Sequence, residues 1–496
     1  MSMETSGNSL SLARDLAGLK SRMRGQALQQ GDEGYEASRQ VWNAMIDRRP
    51  AVITRCVAPG DVVEALAFAR AHGLVVSVRG GGHNVAGNAV CDDGVMIDLS
   101  PMKGLQVDPA RRVVRAEPGL TWGEFDRGTQ EHGLAITGGV QSTTGIAGFT
   151  LGGGFGYLAR KHGLTCDNLL SADVVTADGT MLTASPSERA DLFWGLRGGG
   201  GNFGIVTSFE LQLAPLGPVL GGMLIYPLSR AAEVLRHFRE YTETAPDELF
   251  TIALFTTAPA APHIPERLRG QPVLLFIICY AGNVEDGARF LQPLRAFGPP
   301  DADLVRVRPY IEMQQLLDAS NPAGRLNYWK SENVTGYSDA AIETVIAFSE
   351  QAPSPYSKTL FSQLQGAIAR VDADASAYSH RQAPFVININ AMWTNPAESE
   401  AQIAWARDFW AAMQPFSAGG VYVNFLSSEG EDRVRAAYGE KTYARLAELK
   451  RKYDPDNVFH LNQNIAPASD PMNAQPEQRR DARRRSWWSM LRRRSD

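Results

Sequence analysis

The chain has 496 residues, of which 44% are hydrophobic and 21% are charged, values typical of a globular protein of two or three domains. They exclude a wholly disordered, collagenous or disulfide-framework protein. The formal net charge is −5, but residues 478–496 hold eight arginines and two aspartates, a local +6 that leaves −11 for the rest. Nucleic acid is therefore not an expected partner, because a domain that binds it normally presents a basic face.

The four cysteines show neither CxxC pairing nor the spacing of metal ligands. We therefore expect no metal site and a reducing compartment. No apolar signal-peptide core follows the first residues, and no run of eighteen apolar residues occurs in the sequence. These features predict a cytoplasmic protein. The sequence makes no prediction about the oligomeric state.

The basic tail, residues 478–496, interleaves Trp487, Trp488, Met490 and Leu491 with arginine. A segment of this kind could make weak contact with an anionic membrane surface or contact RNA. The alternative is a solvated, flexible terminus without a partner.

In the first half of the chain, helix and strand patterns alternate. Residues 1–40 are polar and are predicted to be a loose lead-in. Asp61 begins an apolar-periodic helix that Gly73 ends. A second helix is predicted over 121–131, and a hairpin that turns at Asp178–Gly179 over 172–184. The other predicted strands are 74–78, 95–99, 112–117, 134–138 and 205–213.

After about residue 218 the pattern changes to long amphipathic helices that alternate with strands. The helices are predicted near 229–243, 283–296, 337–351 and 397–413. The strands are predicted at 273–280, 326–333, 360–371 and 385–393. This pattern indicates an α+β domain with a sheet large enough to cover a substrate. A strand over 422–426, two helices and the segment 453–459 close the fold.

Glycine is the one residue type in excess, with 47 residues against about 35 at average usage. Of these, 26 lie between Arg79 and Gly204. The run RGGGH, 79–83, follows a predicted strand and could form an anion-binding nest of backbone N–H groups. A second cluster runs from Ser142 to Gly156. Tight turns would explain one such cluster, but several in one region favour a site for a nucleotide with a diphosphate.

A third cluster, RGGGGNFG at 197–204, contains glycines in GxGxxG spacing. A dinucleotide fingerprint of the Rossmann type follows a strand, opens a helix and has an acidic residue about 20 positions later. Here the motif follows a helical pattern and opens a strand, and no acidic residue lies near 224. We therefore reject the Rossmann interpretation.

His83 stands at the end of the first glycine run. Its imidazole could bind a phosphate, act as a base or be a covalent attachment point, and the residues alone leave these three roles open.

Five motifs in this order resemble the berberine-bridge-enzyme-like branch of the FAD-linked oxidases, within the vanillyl-alcohol-oxidase and p-cresol methylhydroxylase superfamily. They are RGGGH, GxxGxxLGGGFGYLARKHGLTCDN, DLFWGLRGGGGNFGIVTSFEL, YVNF and YDPDNVFHLNQNI. The resemblance covers about residues 40–466.

The resemblance implies an α+β protein with a two-part FAD-binding domain of the p-cresol methylhydroxylase type over 41–217. An α+β substrate domain with a large antiparallel sheet would cover 218–418, and a C-terminal segment, 419–466, would return to complete the FAD site. Residues 467–496 would form a flexible tail. The implied activity is removal of hydride from a C–H next to OH in an alcohol, sugar or secondary metabolite, with O2 reduced to hydrogen peroxide. A flavin dehydrogenase, an amine oxidase and a non-catalytic flavin-binding protein remain alternatives.

The resemblance also implies roles for individual residues. His83 matches the histidine that binds the flavin covalently. Relatives often carry a second, cysteinyl link, and Gln141 stands at that position, so a single link is expected. Thr144 matches a residue on the oxygen approach, and its small size makes oxidase activity plausible. The other implied cofactor-binding residues are Arg79, Gly80, Gly81, Gly82, Asn84, Gly87, Thr137, Gly138, Gly139, Ser142, Thr143, Gly145, Gly148, Gly152, Gly153, Gly154, Gly156, Ile205, Val206, Asn424, Asn462 and Gln463.

The catalytic base is the least defined part of the resemblance. Phe425 stands where many relatives have a basic tyrosine, so another residue would have to serve. Candidates are Tyr422, which strand alternation places beside Asn424, and residues on strands expected to cover the flavin: Tyr328, Lys330, Asn388, Asn390 and Trp393. A neighbouring lysine could lower the pKa of the Tyr328 phenol. The alternatives are that Tyr328 only packs the sheet, or that no base is needed because the substrate is a neutral amine.

Overall fold

The computed structural model describes residues 14–262 and 264–469, so the basic tail, 478–496, and residues 1–13 of the lead-in lie outside the described residues. The predicted loose lead-in is wrong for its described part. A helix covers 14–22, the strand Gln26–Leu28 pairs with Val52–Arg55, and the helix Tyr35–Arg39 follows. Apolar side chains of this segment, including Leu19, are fully buried.

The first sheet has four strands. Val95–Asp98 pairs in parallel with both Val52–Arg55 and Val76–Arg79, and Gln26–Leu28 adds at the edge. The helix Pro59–Ala71 packs on it and starts two residues before the predicted Asp61. The Asp61 carboxylate instead accepts hydrogen bonds from the backbone of Arg24 and Val57, at 2.7 and 2.9 Å.

The second sheet is antiparallel with five strands, in the order Leu105–Asp108, Val113–Ala116, Ile205–Gln212, Leu169–Val175 and Met181–Ala184. The predicted hairpin is confirmed as Leu169–Val175 with Met181–Ala184. The predicted strand 134–138 is shorter, Leu134–Ala135, and pairs with Ala214–Pro215. The helices of this region are Trp122–Gln130, Ile146–Leu151, Ala159–His162 and Ala190–Leu196, with the 3₁₀ turn Thr165–Asn168.

The third sheet is antiparallel with eight strands. Six follow the order Val219–Pro227, Pro272–Tyr280, Leu249–Thr257, Lys358–Gln363, Phe385–Trp393 and Leu326–Val334, and the short strands Ala302–Asp303 and Arg306–Arg308 pair with the first. Strands 219–227 and 249–257 were not predicted. The predicted strand 360–371 is wrong beyond Gln363, because residues 365 and 366 turn through positive φ into the helix Ala367–Arg370.

The two faces of the large sheet have different neighbours. One face packs on the long helices Ala231–Glu243, Val284–Ala296, Asp339–Glu350 and Ser399–Met413. The other face packs on residues 155–159 of the glycine-rich half and on Tyr422 of the closing segment. The helix Tyr310–Gln314 and the 3₁₀ turns Leu228–Arg230, Glu266–Leu268, Asp318–Ser320, Pro396–Glu398 and Gln414–Phe416 connect these elements.

The closing segment returns to the glycine-rich half. Its helices Glu431–Tyr438 and Glu440–Tyr453 place Leu446 and Leu449 in one apolar cluster with Phe203. The predicted strand over 422–426 is wrong, because residues 423–425 form a 3₁₀ turn. Within the described chain, no helix combines the length and apolarity needed to cross a bilayer.

Candidate active site

A cavity of about 300 Å³ lies where the two small sheets, the large sheet and the closing segment meet. The first two glycine clusters touch there, backbone to backbone. A Cβ atom on Gly81 would lie 2.5 Å from the backbone nitrogen of Gly145, so neither position accepts a side chain. Both glycines line the cavity, where bare backbone N–H groups can surround a pyrophosphate.

His83 lines the same cavity, one residue after the glycine run. Its ring stacks on that of Trp42, with centroids 4.4 Å apart, and its buried Nε2 has no hydrogen-bond partner in the described part of the chain. Burial lowers the pKa of His83 to about 4, against smaller opposing interactions with its own backbone and with Gln141. The imidazole is therefore neutral at pH 7, with a nitrogen atom enclosed and free.

The loop 318–321 of the large-sheet region binds Trp42, whose ring stacks on His83, and the segment that contains Gln141 and Ser142. Asp318 accepts a hydrogen bond from the backbone N–H of Ser142 at 2.9 Å and another from the Ser142 hydroxyl. The carbonyl of Asn321 accepts one from Trp42 Nε1 at 3.2 Å. The loop 318–321 thus ties together the segment before Thr144 and the ring that stacks on His83.

Lys358 supports this loop from the large sheet. Its Nζ donates to the Asn321 side-chain oxygen at 2.7 Å and to the Ser320 carbonyl at 2.9 Å. Burial, followed by the charge of Arg325, lowers the pKa of Lys358 to about 7.

The third glycine cluster also lines the cavity, through Gly200, Gly201, Asn202 and Gly204. It follows the helix Ala190–Leu196 and opens the strand Ile205–Gln212, so the rejection of the Rossmann interpretation is confirmed. The sequence reasoning nevertheless missed this cluster as part of the site.

The closing segment fixes the third cluster through a fully buried ion pair. Lys450 Nζ donates to Asp454 at 2.6 Å, to the Asn202 carbonyl at 2.8 Å and to the Phe459 carbonyl at 2.9 Å. Neither charged side chain is exposed. Asn202 and Phe459 both line the cavity, and so does Tyr438, whose buried hydroxyl has no partner among the described residues.

Tyr422 and Asn424 both line the cavity, but Val423 and Phe425 line it as well. The alternation predicted for a strand is therefore wrong, because these residues form a 3₁₀ turn. The Tyr422 hydroxyl accepts hydrogen bonds from Asn424 Nδ2 at 2.8 Å and from the Gly154 N–H at 3.1 Å. Burial raises the pKa of Tyr422 far above its usual value. Phe425 lies beside them and meets the Trp329 ring edge-on at 5.8 Å.

Tyr328 and Lys330, two of the predicted catalytic residues, lie on the face of the large sheet that is opposite the cavity. Tyr328 packs against the outer helices, where Arg407 donates to its hydroxyl at 3.1 Å. Lys330 forms a buried ion pair with Glu429. The prediction assigned this pair to the flavin side, but it is Trp329, between them, that lines the cavity. Trp393 also packs outward, since it alternates with Asn388 and Asn390 rather than sharing their face.

The structure brings most of the predicted cofactor residues to the cavity. Those that line it are Gly80, Gly81, Gly82, His83, Asn84, Gly139, Thr144, Gly145, Gly148, Ile205, Val206, Asn424, Asn462 and Gln463, together with Gln141, Tyr422 and Asn388. Those that lie behind the lining are Arg79, Gly87, Thr137, Gly138, Ser142, Thr143, Gly152, Gly153, Gly154 and Gly156. Arg79 donates to the Ser38 carbonyl at 2.6 Å, and the Thr137 hydroxyl to the Gly163 carbonyl at 2.8 Å.

Some lining residues were not predicted. They include Asn88, Phe149, Leu360, Ser362, Tyr438, Phe459 and Leu461. Tyr438 and Phe459 reach the cavity only because the closing helices fold back, so no short motif marks them. Cys166 is buried outside the lining.

The lining carries no fixed charge. Over 14–262 and 264–469, it contains no aspartate, glutamate, lysine or arginine, and its titratable groups there are His83, Tyr422 and Tyr438. Burial raises the pKa of both tyrosines, so all three are neutral at pH 7. An apolar cavity with a few unpartnered polar atoms is the usual form of a cofactor or small-molecule site.

The backbone cradle at Gly81 and Gly145, the free Nε2 of His83 and the free hydroxyl of Tyr438 fit a dinucleotide that carries a flavin. Together with the large sheet beside the cavity, they fit an FAD-linked oxidoreductase. Residues 50–185 match the family model of an FAD binding domain, and residues 421–466 match the model described as berberine and berberine like. The chain belongs to the berberine-bridge-enzyme-like FAD-linked oxidoreductases.

Similar proteins cover nearly the whole chain. The uncharacterized FAD-linked oxidoreductase YgaK of Bacillus subtilis (strain 168) is 30% identical over 455 residues, which cover 90% of this chain and 98% of that protein. The (R)-6-hydroxynicotine oxidase of Paenarthrobacter nicotinovorans is 30% identical over 465 residues, which cover 90% and 97%. The crystal structure of 6-hydroxy-D-nicotine oxidase from Arthrobacter nicotinovorans has a TM-score of 0.81 at 29% identity and covers 90% of this chain and 98% of that chain.

Proposed function

We propose that this protein is an FAD-linked oxidase whose substrate is a small, uncharged, ring-bearing amine. The reaction removes hydride from the C–H bond next to the nitrogen and gives the electrons to O2, which yields hydrogen peroxide. A single covalent bond through His83 holds the FAD.

The uncharged cavity lining carries this proposal. An alcohol must lose its O–H proton when hydride leaves, so it needs a general base. A neutral amine needs none, because the nitrogen lone pair stabilises the developing positive charge. Among the described residues, no carboxylate or lysine lines the cavity, which favours the amine. The relative named for 6-hydroxynicotine, at 30% identity, supports the same substrate class.

FAD, when bound, supplies the hydride acceptor and the route of electrons to oxygen. The residues of the chain bind FAD and the substrate and orient them. Gly81 and Gly145 offer backbone N–H groups to the pyrophosphate, and Tyr438 and Asn462 offer polar side chains to the same cavity. The large sheet forms one wall of the site through Trp329, Asn388 and Asn390.

His83 is suited to covalent attachment because its imidazole is neutral and its Nε2 is free. The Trp42 ring holds the imidazole by stacking on it. Gln141 lines the cavity where relatives often have a cysteine, which supports the single link.

A removal of hydride from a C–H next to OH is the second candidate, and the surroundings of Tyr422 favour it. Asn424 Nδ2 and the Gly154 N–H both donate to the Tyr422 oxygen. Two donors stabilise a phenolate, which would let Tyr422 accept the alcohol proton. Burial opposes this ionisation, so we place the alcohol second.

The experiment is an anaerobic titration of the FAD-loaded protein with uncharged amines, alcohols and sugars, followed by flavin bleaching, with peroxide measured in air. We expect amines to bleach the flavin and Tyr422→Phe to retain kcat/KM within about threefold, since no base is required. An alcohol reaction would lose about 10²- to 10⁴-fold in the same variant. The control is Tyr378→Phe, since Tyr378 is buried near Tyr422 but outside the lining. Bleaching by alcohols alone, lost in Tyr422→Phe, would replace the first candidate by the second. Slow reoxidation in air would identify a dehydrogenase.

A further inference from the structure

The wall that the large sheet presents to the cavity carries polar side chains without partners. Asn388 and Asn390 are two residues apart on one strand, so they face the same way at a spacing of about 7 Å. Both line the cavity and are 4% exposed, and neither amide oxygen has a hydrogen-bond partner within the described chain. Trp329, 7% exposed, pairs across the strands with Asn390, and its Nε1 is equally free. Buried polar groups in native proteins are nearly always hydrogen-bonded, so these three indicate a ligand.

This wall lies next to the expected flavin attachment point. The Trp42 ring stacks on His83 and meets the Trp329 ring edge-on, with centroids 5.6 Å apart. Phe425 contacts the other side of Trp329, and Phe155 contacts Phe425 at 5.6 Å. A planar ring can therefore pack among aromatic side chains while its edge reaches the two carboxamides.

The charged residues near this wall point elsewhere. Lys358 is the other cross-strand neighbour of Asn390, but its Nζ is bound to Ser320 and Asn321. Lys330 pairs with Glu429 on the opposite face of the sheet. The wall thus offers donors and acceptors but no counter-ion.

We propose that Asn388, Asn390 and Trp329 form a recognition subsite for an uncharged ring with an amide-like edge, that is, N–H beside C=O or the corresponding hydroxy-imine. Each carboxamide presents one donor and one acceptor, which is the complement of such an edge. A carboxylate has no donor for the two unpartnered amide oxygens, and a cation would lack an anionic partner among the described lining residues. The subsite rests on the proposed function, because it takes the cavity to hold substrate beside FAD. It gives Asn388 a role in binding rather than as a base.

The test uses three ring ligands of similar size: 2-pyridone, benzoate and N-methylpyridinium. Each is titrated anaerobically into the FAD-loaded protein, and binding is followed by flavin absorbance and by calorimetry. We expect 2-pyridone to bind at least about tenfold more tightly than either ion. Asn388→Leu and Asn390→Leu should each weaken it about tenfold, the effect of one lost hydrogen bond. The control is Ile389→Val, on the opposite face of the same strand, which should leave binding unchanged.

Equal or tighter binding of benzoate or N-methylpyridinium would overturn the subsite, as would retention of 2-pyridone affinity within twofold in both leucine variants. The comparison of the three ligands on the wild-type protein needs no variant, so a leucine variant that fails to fold does not remove the test. Preference for 2-pyridone with no substrate reduction in any panel would refute the oxidase proposal alone. Amine oxidation without that preference would refute the subsite alone.

Discussion

Replacing Lys450 by methionine tests whether the buried ion pair holds the cofactor side of the cavity. Lys450 and Asp454 are both fully buried, and Lys450 Nζ has three oxygen partners between 2.6 and 2.9 Å. The variant leaves the Asp454 carboxylate without its counter-charge. Removing one partner of a buried pair lowers the free energy of unfolding by about 3–5 kcal/mol. We expect a loss at the lower end of this range, because the backbone N–H groups of Val458 and Phe459 still donate to the Asp454 carboxylate.

The expected result is a lower thermal midpoint and a shorter half-life at a fixed temperature, both read from unfolding curves of the FAD-loaded protein. The control is Lys452→Met in the same helix. Lys452 pairs with Asp191 at 2.6 Å, but the two side chains are 59% and 43% exposed, so this change should cost less than about 1 kcal/mol. A second variant, Lys450→Met with Asp454→Asn, should regain part of the loss, because no unpaired charge remains. Equal midpoints for the Lys450 and Lys452 variants would refute the reasoning.

Three further predictions concern the cofactor, oxygen and pH. His83→Ala should release all yellow colour on acid precipitation, whereas wild-type protein should keep its colour in the pellet; loss of colour from the wild type would contradict the covalent bond. Thr144→Leu should slow flavin reoxidation in air by about tenfold or more, because Thr144 lines the cavity and the larger side chain would block oxygen. The rate of anaerobic flavin reduction should change by no more than a few-fold. An unchanged reoxidation rate would show that Thr144 does not control oxygen access. Lys358→Met should reduce the pH dependence of thermal stability. Because the folded pKa of Lys358 is about 7 and its ordinary value is 10.5, burial penalises the folded state fully below pH 7, and the penalty fades as pH rises toward 10. The thermal midpoint of the variant minus that of the wild type should therefore become smaller from pH 6 to pH 10. A difference that stays constant over this range would contradict the prediction.

The sequence predicted the features that depend on local backbone or on ordered motifs. The glycines at 80–82 and His83 form a local pattern, a glycine run directly after a strand. All four line the cavity, as this pattern predicts. The alternation of side chains along a strand was also predictable, since Tyr328 and Lys330 do share a face. Which face turns to the cavity was not predictable, because the partners of the outward side chains are distant in sequence: Glu429, which binds Lys330, lies 99 residues away.

The errors at the closing segment have a similar cause. Residues 422–426 have the apolar composition of a strand, but no neighbouring strand pairs with them among the described residues, and the backbone forms a 3₁₀ turn. The third glycine cluster reaches the cavity because Lys450 binds the Asn202 carbonyl. A contact over that sequence distance leaves no mark in the local pattern.

The contact between Lys450 and Asn202 joins residues 248 positions apart, and this has a consequence for biosynthesis. The cavity lacks part of its wall until the helix Glu440–Tyr453 and residues 459–463 have left the ribosome. We therefore expect FAD to bind late in folding, after the closing segment has packed on the glycine-rich half. A chain truncated before Lys450 could form both small sheets and still leave the cofactor site open.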